Sequence, residues 1–264
     1  MQKRFRMILK EKEGIKHYQF PKLSDCSDIW HGIFTRYGGI SESPFKSLNV
    51  SFNLGDKSSN VVENRCKISQ MTGGFPITYA HQNHGTEILV FRKEDETGTP
   101  IAEQEAMTGD ALVTDIPGRF LAVQVADCQS VLLFDPKQRV IANIHSGWRG
   151  SIRNIVGRTI DTMKAAFDCR PSNVIAGIGP SLGPCCAEFI NYRKEIPEPF
   201  WRYRNSENLF DFWSISMEQL TDAGVLPDNI ALSRMCTKCR TDQFFSYRGE
   251  GITGRFASII GIIP

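Results

Sequence analysis

Three runs in the middle of the chain are almost wholly apolar: FLAVQV at 120–125, VLLF at 131–134 and VIANI at 140–144. Runs of four to six apolar and β-branched residues, bounded by polar turns, are what strands covered on both faces look like. Immediately downstream, Ile152, Ile155, Val156, Thr159, Ile160, Met163 and Phe167 recur at three- and four-residue spacing. That period predicts a helix with one buried face, started by Gly150 and Ser151.

The flanking pattern is shorter and more broken. Residues 5–11 and 15–20 surround Glu13-Gly14 and predict an opening hairpin. WHGIFTRYGG at 30–39 reads as a strand delivering Arg36 to a glycine turn, and SLNVSFNLGD at 47–56 reads as another, leaving Arg36 and Asn49 at strand ends. Ser58 or Ser59 can cap a helix to Met71, with Val61, Val62, Cys66 and Ile68 on its apolar face and Gly73-Gly74 ending it. Short strands at 77–79 and 87–91 enclose AHQNHGT, ahead of a charged loop at 92–105. A strand at 173–180, a brief helix toward Arg193, irregular chain at 197–203, a helix at 211–223 and strands at 230–233 and 256–263 complete the reading. Strands separated by single helices, with adjacent hairpin-like strands in the middle, give an α+β (mixed α/β) class: one mixed sheet with helices packed outside.

Composition adds bounds. With 264 residues and 41% hydrophobic content the chain can bury a large core, and no linker divides it, so 1–264 is expected to be a single domain. A net charge of +2 writes no nucleic-acid-binding field over the surface. The first residues lack the apolar core of a secretion signal, and the apolar runs are too short to cross a bilayer, so a cytoplasmic protein without membrane partners is expected, as a monomer or small homo-oligomer. In that compartment the eight cysteines are expected to be mostly thiols.

Cys128 and His145 stand at the ends of successive apolar strands, and His81 and His84 lie on a separate turn. Thiolate and imidazole are zinc ligands, and three protein ligands leave a fourth position open for chemistry. The plainer reading is a core cysteine and a histidine that caps backbone groups. Spacing does not choose between His81 and His84. Asp127, next to Cys128, could orient a histidine or move a proton, or simply bond to a turn. A helix start beside His145, with Arg149, would favour an anion. Cys236-x-x-Cys239 and the adjacent Cys185-Cys186 suggest a redox pair or second zinc site only weakly, and buried thiols are the plainer account. Phe244, Phe245 and Tyr247 read as core rather than as a surface for stacking bases, although Tyr247 lies near a strand end.

Taken together, HGIFTRYGGISESPFKSLNVSFNLGD, HQNHGT, GDALVTD, VADCQSVLLFD, HSGWRG, GIGPSLGPCC, and CTKC, FFSYRG and TGR near the end occur in an order that resembles the bacterial laccase-domain, or multicopper polyphenol oxidase, family, which includes the peptidoglycan editing factor. The resemblance covers about residues 30–262. It implies a mixed α/β fold with a distant likeness to cysteine hydrolases. It also implies a zinc-dependent enzyme that phosphorolyses adenosine, inosine and methylthioadenosine and can deaminate adenosine. Its metal ligands fall on His84, Cys128 and His145, setting His81 aside. Ser146, Asn83 and Gly249 depart from the commoner residues without removing a ligand.

Phosphorolysis needs cationic and backbone donors for phosphate, for which Arg36, Arg149 and the helix start at Ser151 are candidates, while Gln82 and Asn49 could read base or ribose. Deamination would employ the same metal, with Asp127 the nearest acid. Multicopper oxidase chemistry is excluded on ligand count, because five histidines without a His-x-His pair supply one mononuclear site. Copper could still occupy that site. Two alternatives stand beside the enzyme: a metal-free cysteine hydrolase with Cys128 as nucleophile and His145 as base, editing cell-wall precursors, and a non-catalytic, metal-stabilised binding module.

Overall fold

The computed structural model describes residues 7–93 and 107–264. Twelve strands among these residues form two six-stranded sheets rather than one. The first sheet contains β1 (Ile8–Lys12), β2 (Ile15–Gln19), β3 (Ile29–Phe34), β4 (Ile77–Tyr79), β7 (Phe120–Val125) and β12 (Phe256–Ile262), in the order β1-β2-β3-β12-β7-β4. The second contains β5 (Ile88–Phe91), β6 (Ala111–Thr114), β8 (Gln129–Asp135), β9 (Val140–Ser146), β10 (Ile175–Ile178) and β11 (Ile230–Leu232), in the order β11-β10-β8-β9-β6-β5. Each sheet is mixed: β4 with β7, β5 with β6 and β10 with β11 run parallel, and the other pairs antiparallel.

The sheets stack face to face, and strand alternation shows how. In β7, Leu121, Val123 and Val125 join the core between the sheets, whereas Phe120 and Ala122 face outward. In β9, Ile141 points into the same inter-sheet core, while Val140, Ala142 and Ile144 point the other way. Asn143, on the inward face, donates from Nδ2 to the carbonyls of Leu121 (2.9 Å) and Ser258 (2.8 Å), a polar clip between the sheets. A continuous apolar run is therefore satisfied by a second sheet on one side and helices on the other.

After the one-turn helix α1 (Pro21–Ser24), helix α2 (Ser58–Met71) covers the outer face of the first sheet, with Ile68 packed among Phe34, Tyr79 and Ile259. Helix α4 (Ile155–Phe167) covers the second, burying Ile155, Val156, Ile160 and Met163, worth about 2 kcal/mol each in apolar transfer. Beyond the one-turn helix α5 (Tyr192–Glu195), helix α6 (Phe212–Asp222) packs beside α4 through Leu220, capped by Asp211, whose carboxylate accepts the Ser214 N–H. The result is four layers, helix–sheet–sheet–helix. No helix among the described residues is long and apolar enough to cross a membrane.

Several local expectations are corrected. The 47–56 segment is not a strand, because Asn64 of α2 substitutes for a neighbouring strand: its Nδ2 donates to the carbonyls of Ser47 (3.1 Å) and Asn49 (2.8 Å). The buried face of α2 is Val61, Asn64 and Ile68, while Val62 and Cys66 face solvent, and its N-cap is Lys57 rather than a serine. The helix expected from Gly150 onward is broken. A short helix α3 (Trp148–Ile152) ends at Arg153, Asn154 turns left-handed (φ 58°), and its side chain accepts the Gly157 N–H to start α4. The chain at 197–203 is not irregular throughout, since Glu198–Tyr203 winds into a 3-10 helix. The hairpin turn at Glu13-Gly14, both with positive φ, closes β1 and β2 as expected. Residues 5–6 of its first arm and 94–105 of the charged loop lie outside the described residues.

Candidate metal centre

Two of the connections that cross between the sheets carry a candidate ligand each. Asp127-Cys128 links β7 to β8, and the 80–87 segment links β4 to β5. At both crossings a non-glycine residue adopts a left-handed backbone, Asp127 (φ 86°) and His84 (φ 62°), a conformation that must be held by its surroundings. His145 enters from β9, two and four positions beyond the inward-facing Asn143 and Ile141. One ligand atom from each of His84, Cys128 and His145 lies within 4.8 Å of the others. The imidazoles of His84 and His145 meet edge to face with centroids 4.9 Å apart.

Asp110 organises this group. Fully buried just before β6, it places Oδ1 2.7 Å from His145 Nδ1 and accepts the backbone N–H groups of His84 (3.0 Å, Oδ1) and Gly85 (2.7 Å, Oδ2). With Nδ1 so engaged, His145 keeps Nε2 for the Cys128 side, the orientation a carboxylate imposes on a metal-ligating histidine. Burial opposes ionisation of Asp110, but its hydrogen bond to His145, that residue's charge and the two N–H donors hold it below the usual carboxylate range. Burial likewise opposes a charged Cys128, yet His145 and His84 overcome it and bring the thiol down to about 6. Burial also disfavours a charged His145, but Cys128 and Asp110 raise it to about 9.

The donor set, two imidazoles and one thiolate with a carboxylate behind one ring, is one that zinc accepts while retaining an open position. The backbone is fitted to it. A Cβ on Gly147 would stand 2.8 Å from His84 Cδ2 and 3.3 Å from Cys128 Sγ, so only glycine lets the chain pass this close.

The three residues line a cavity of about 660 Å³. One wall is aromatic: Trp148 meets Phe189 edge to face at 5.9 Å, and Phe189 lies 5.4 Å from Phe212. Arg149, stacked 4.5 Å over Trp148, brings positive charge to the cavity, together with Arg248 and Arg255. Tyr247 is 61% exposed and also lines it, whereas Phe244 and Phe245 are fully buried core.

The remaining candidates separate cleanly. Gln82 lines the cavity, but its amide is paired on both sides with the Gln124 backbone, accepting the N–H at 2.8 Å and donating to the carbonyl at 2.9 Å. Asp127 also lines it, with Oδ1 accepting from Thr237 and Ser246 hydroxyls and Oδ2 from the Arg248 N–H. Arg36 and Asn49 do not reach it. Arg36 is held by Glu250 (2.8 Å) and the carbonyls of Lys46 and Thr241, over the Phe245 ring. Asn49 is buried, donating to Asp56 and the Ser51 carbonyl and accepting the Ser51 and Arg255 N–H groups, so it meets the cavity through the backbone of those two lining residues. Ser151 is buried inside α3, its N–H bonded to the Gly147 carbonyl, and does not open a helix toward the site. His81 lines the cavity outside the three-residue group. Sequence reasoning passed over Asp110, Arg248, Arg255 and the Trp148–Phe189–Phe212 wall; the GDALVTD and FFSYRG segments held the only local signals for the first two.

Comparison with known proteins gives the same fold. The crystal structure of YlmD from Geobacillus stearothermophilus superposes with a TM-score of 0.84 at 30% identity, over 98% of this chain and all of that one. That of the Bacillus licheniformis hypothetical protein YfiH gives 0.84 at 26% identity, over 96% and 98%. In sequence, the chain is 32% identical to "Purine nucleoside phosphorylase YlmD" of Geobacillus stearothermophilus over 87% of this chain and 89% of that protein. It is 31% identical to "Purine nucleoside phosphorylase YfiH" of Escherichia coli over 87% and 92%. The family model described as "Multi-copper polyphenol oxidoreductase laccase" matches residues 30–263, and the chain belongs to that family.

Proposed function

We propose that the protein is a zinc-dependent purine nucleoside phosphorylase acting on adenosine, inosine and methylthioadenosine. The observation that carries this reading is the His84, Cys128 and His145 group opening onto an aromatic and cationic cavity of nucleoside size. Relatives named purine nucleoside phosphorylase at 31–32% identity support the choice of reaction. The family's laccase label does not fit the ligands: His17 and His31 are buried in β2 and β3 among Trp30, Phe34 and Phe20, leaving too few histidines near the cavity for several coppers.

In phosphorolysis a phosphate oxygen bonds to C1′ as the C1′–N9 bond breaks, and the purine leaves with the bonding pair and takes up a proton. Arg149, Arg248 and Arg255 offer charge-assisted donors for the phosphate, and the Trp148 and Phe189 rings with Tyr247 offer flat surfaces for the base. Zinc held by His84, Cys128 and His145 would supply Lewis acidity toward a substrate oxygen or water, the chemistry that also underlies adenosine deamination. Asp127, with both carboxylate oxygens engaged, positions the Cys128 crossing against the chain that carries Arg248. Asp110 fixes the His145 ring.

The decisive assay is phosphate-dependent release of hypoxanthine from inosine, run beside zinc analysis of the same protein. Turnover that needs phosphate, and that falls with zinc content in Cys128→Ala, is expected; unaltered metal and turnover in that variant would sink the proposal. The lowered Cys128 thiol beside His145, itself oriented by Asp110, also favours a second reading as a cysteine hydrolase. That reading requires an acyl-enzyme on Cys128 whose formation chelators do not affect.

A further inference from the structure

Outside this cavity, the structure gathers four more cysteines. Cys185 and Cys186 belong to the loop after β10, and Cys236 and Cys239 to the segment after β11; all four Sγ atoms lie within 4.8 Å of one another. We propose that Cys185, Cys186, Cys236 and Cys239 form a second, structural metal site that takes one zinc ion as a tetrathiolate.

Geometry is the first support. Cys239 Sγ is 3.6 Å from Cys185 Sγ and 3.5 Å from Cys186 Sγ. Sulfurs about 2.3 Å from a tetrahedral zinc sit roughly 3.8 Å from each other, so this spread needs only small side-chain adjustments to close. The donor set is the second. Four thiolates without imidazole or carboxylate make a closed, soft site, unlike the three-ligand group at the cavity. Hydrogen bonding is the third: the Gly183 N–H donates to Cys236 Sγ at 3.3 Å, an interaction that favours thiolate over thiol. Lys238 and Arg240 flank Cys239 in the chain, with Arg240 paired to Asp242 at 3.3 Å.

The two segments are already in register without the ion. Ser181 N–H donates to the Met235 carbonyl (3.2 Å) and Thr237 N–H to the Ser181 carbonyl (3.0 Å). The first segment carries Leu182 and Phe189 to the cavity wall. The second runs on to Tyr247 and Arg248, and its Thr237 grips Asp127 beside Cys128. Zinc here would staple two walls of the cavity together, which gives the site a structural reason to exist. Exposure of Cys185 and Cys239 leaves a path for the ion to enter.

The test uses full-length protein purified under reductant. Wild type is expected to hold about two zinc ions per chain, and Cys128→Ala and Cys239→Ser about one each. A mercurial should release zinc from Cys128→Ala in step with four thiols, and cobalt in that variant should give an intense thiolate-to-metal charge-transfer band. Cys239→Ser should lower the melting temperature by several degrees while its remaining zinc responds to mutation of His84. If Cys128→Ala does not fold, wild type is titrated instead, with release of about two zinc ions in step with five thiols expected. Zinc unchanged by Cys239→Ser, absence of the cobalt band, or recovery of the four cysteines as two disulfides by non-reducing mass spectrometry overturns the proposal. These readouts are independent of nucleoside turnover, so failure of the phosphorylase reading leaves them intact.

Discussion

Asp110 Oδ1 stands 2.7 Å from His145 Nδ1, and the same carboxylate receives the N–H groups of His84 and Gly85. One buried side chain thus orients one candidate ligand and shapes the turn that presents another. Asp110→Asn keeps the shape and removes the charge that favours this ring orientation. Zinc affinity of the His84, Cys128 and His145 site, measured by competition with a chromogenic chelator, is expected to fall about 10- to 100-fold. An affinity equal to wild type would show that the contact is only packing.

The thiol of Cys128 gives a pH-dependent readout in metal-stripped protein. Its pKa is lowered to about 6, so it is a thiolate above that pH and a thiol below it. Alkylation of Cys128 by iodoacetamide should rise from pH 5 to 7 and level off above, whereas an ordinary thiol keeps accelerating through roughly pH 8.5. Asp110→Asn should move the inflection upward, because a less basic His145 stabilises the thiolate less. Added zinc should suppress the reaction. A rate that climbs steadily to pH 9 contradicts the proposed pairing.

Two arginines that look alike in the sequence are expected to behave differently. Arg149 is exposed at the cavity, whereas Arg36 is tied to Glu250 and two carbonyls away from it. Arg149→Ala should raise the KM for phosphate by about tenfold with little change in melting temperature. Arg36→Ala should cost about 1–3 kcal/mol of stability, read by denaturant titration, with phosphate KM little changed. The reverse result would return Arg36 to the phosphate site.

The contrast between these arginines also shows what was legible in the sequence. The apolar runs of β7, β8 and β9 announced themselves because each is covered on both faces, and the α4 period because one of its faces is buried. The cover itself was not legible: a second sheet and a helix layer demand the same residues, so one sheet was expected where two are stacked. Cys128 and His145 could be picked out by chemistry and strand position. His81 and His84 share one crossing between the sheets, and only the resemblance set His81 aside; what brings the His84 ring beside Cys128 and His145 is a left-handed turn held by Asp110, a long-range relationship with no local period. Asp110 reads locally as a turn acid, and only its position behind His145 reveals more. Arg36 and Asn49 are held where the ends of distant segments meet, and nothing in their neighbours in sequence says so.

His17 provides a test of stability against pH that does not involve the metal centre. Its ring lies 5.5 Å from both Trp30 and Phe34, and its buried Nδ1 has no hydrogen-bond partner among the described residues. Burial, reinforced by Lys10, lowers its pKa to about 4; burial and His17 lower that of His31 to about 3. The unfolded chain, with histidines near 6.5, therefore binds more protons than the folded one below that pH. Stability from the neutral rings is complete above about 6.5 and declines as pH falls toward 4 for His17 and 3 for His31, at up to about 1.4 kcal/mol per pH unit for each. His17→Phe removes one of these protons and the unpaired nitrogen while keeping an aromatic ring. Relative to wild type it should gain about 2 kcal/mol between pH 7 and pH 5 in urea titrations. His31→Phe should instead lose stability at pH 7, because His31 Nε2 accepts the Phe20 N–H at 2.8 Å and its removal leaves that donor buried without a partner. Parallel stability curves for wild type and His17→Phe across this range would mean that His17 is not held neutral by the fold.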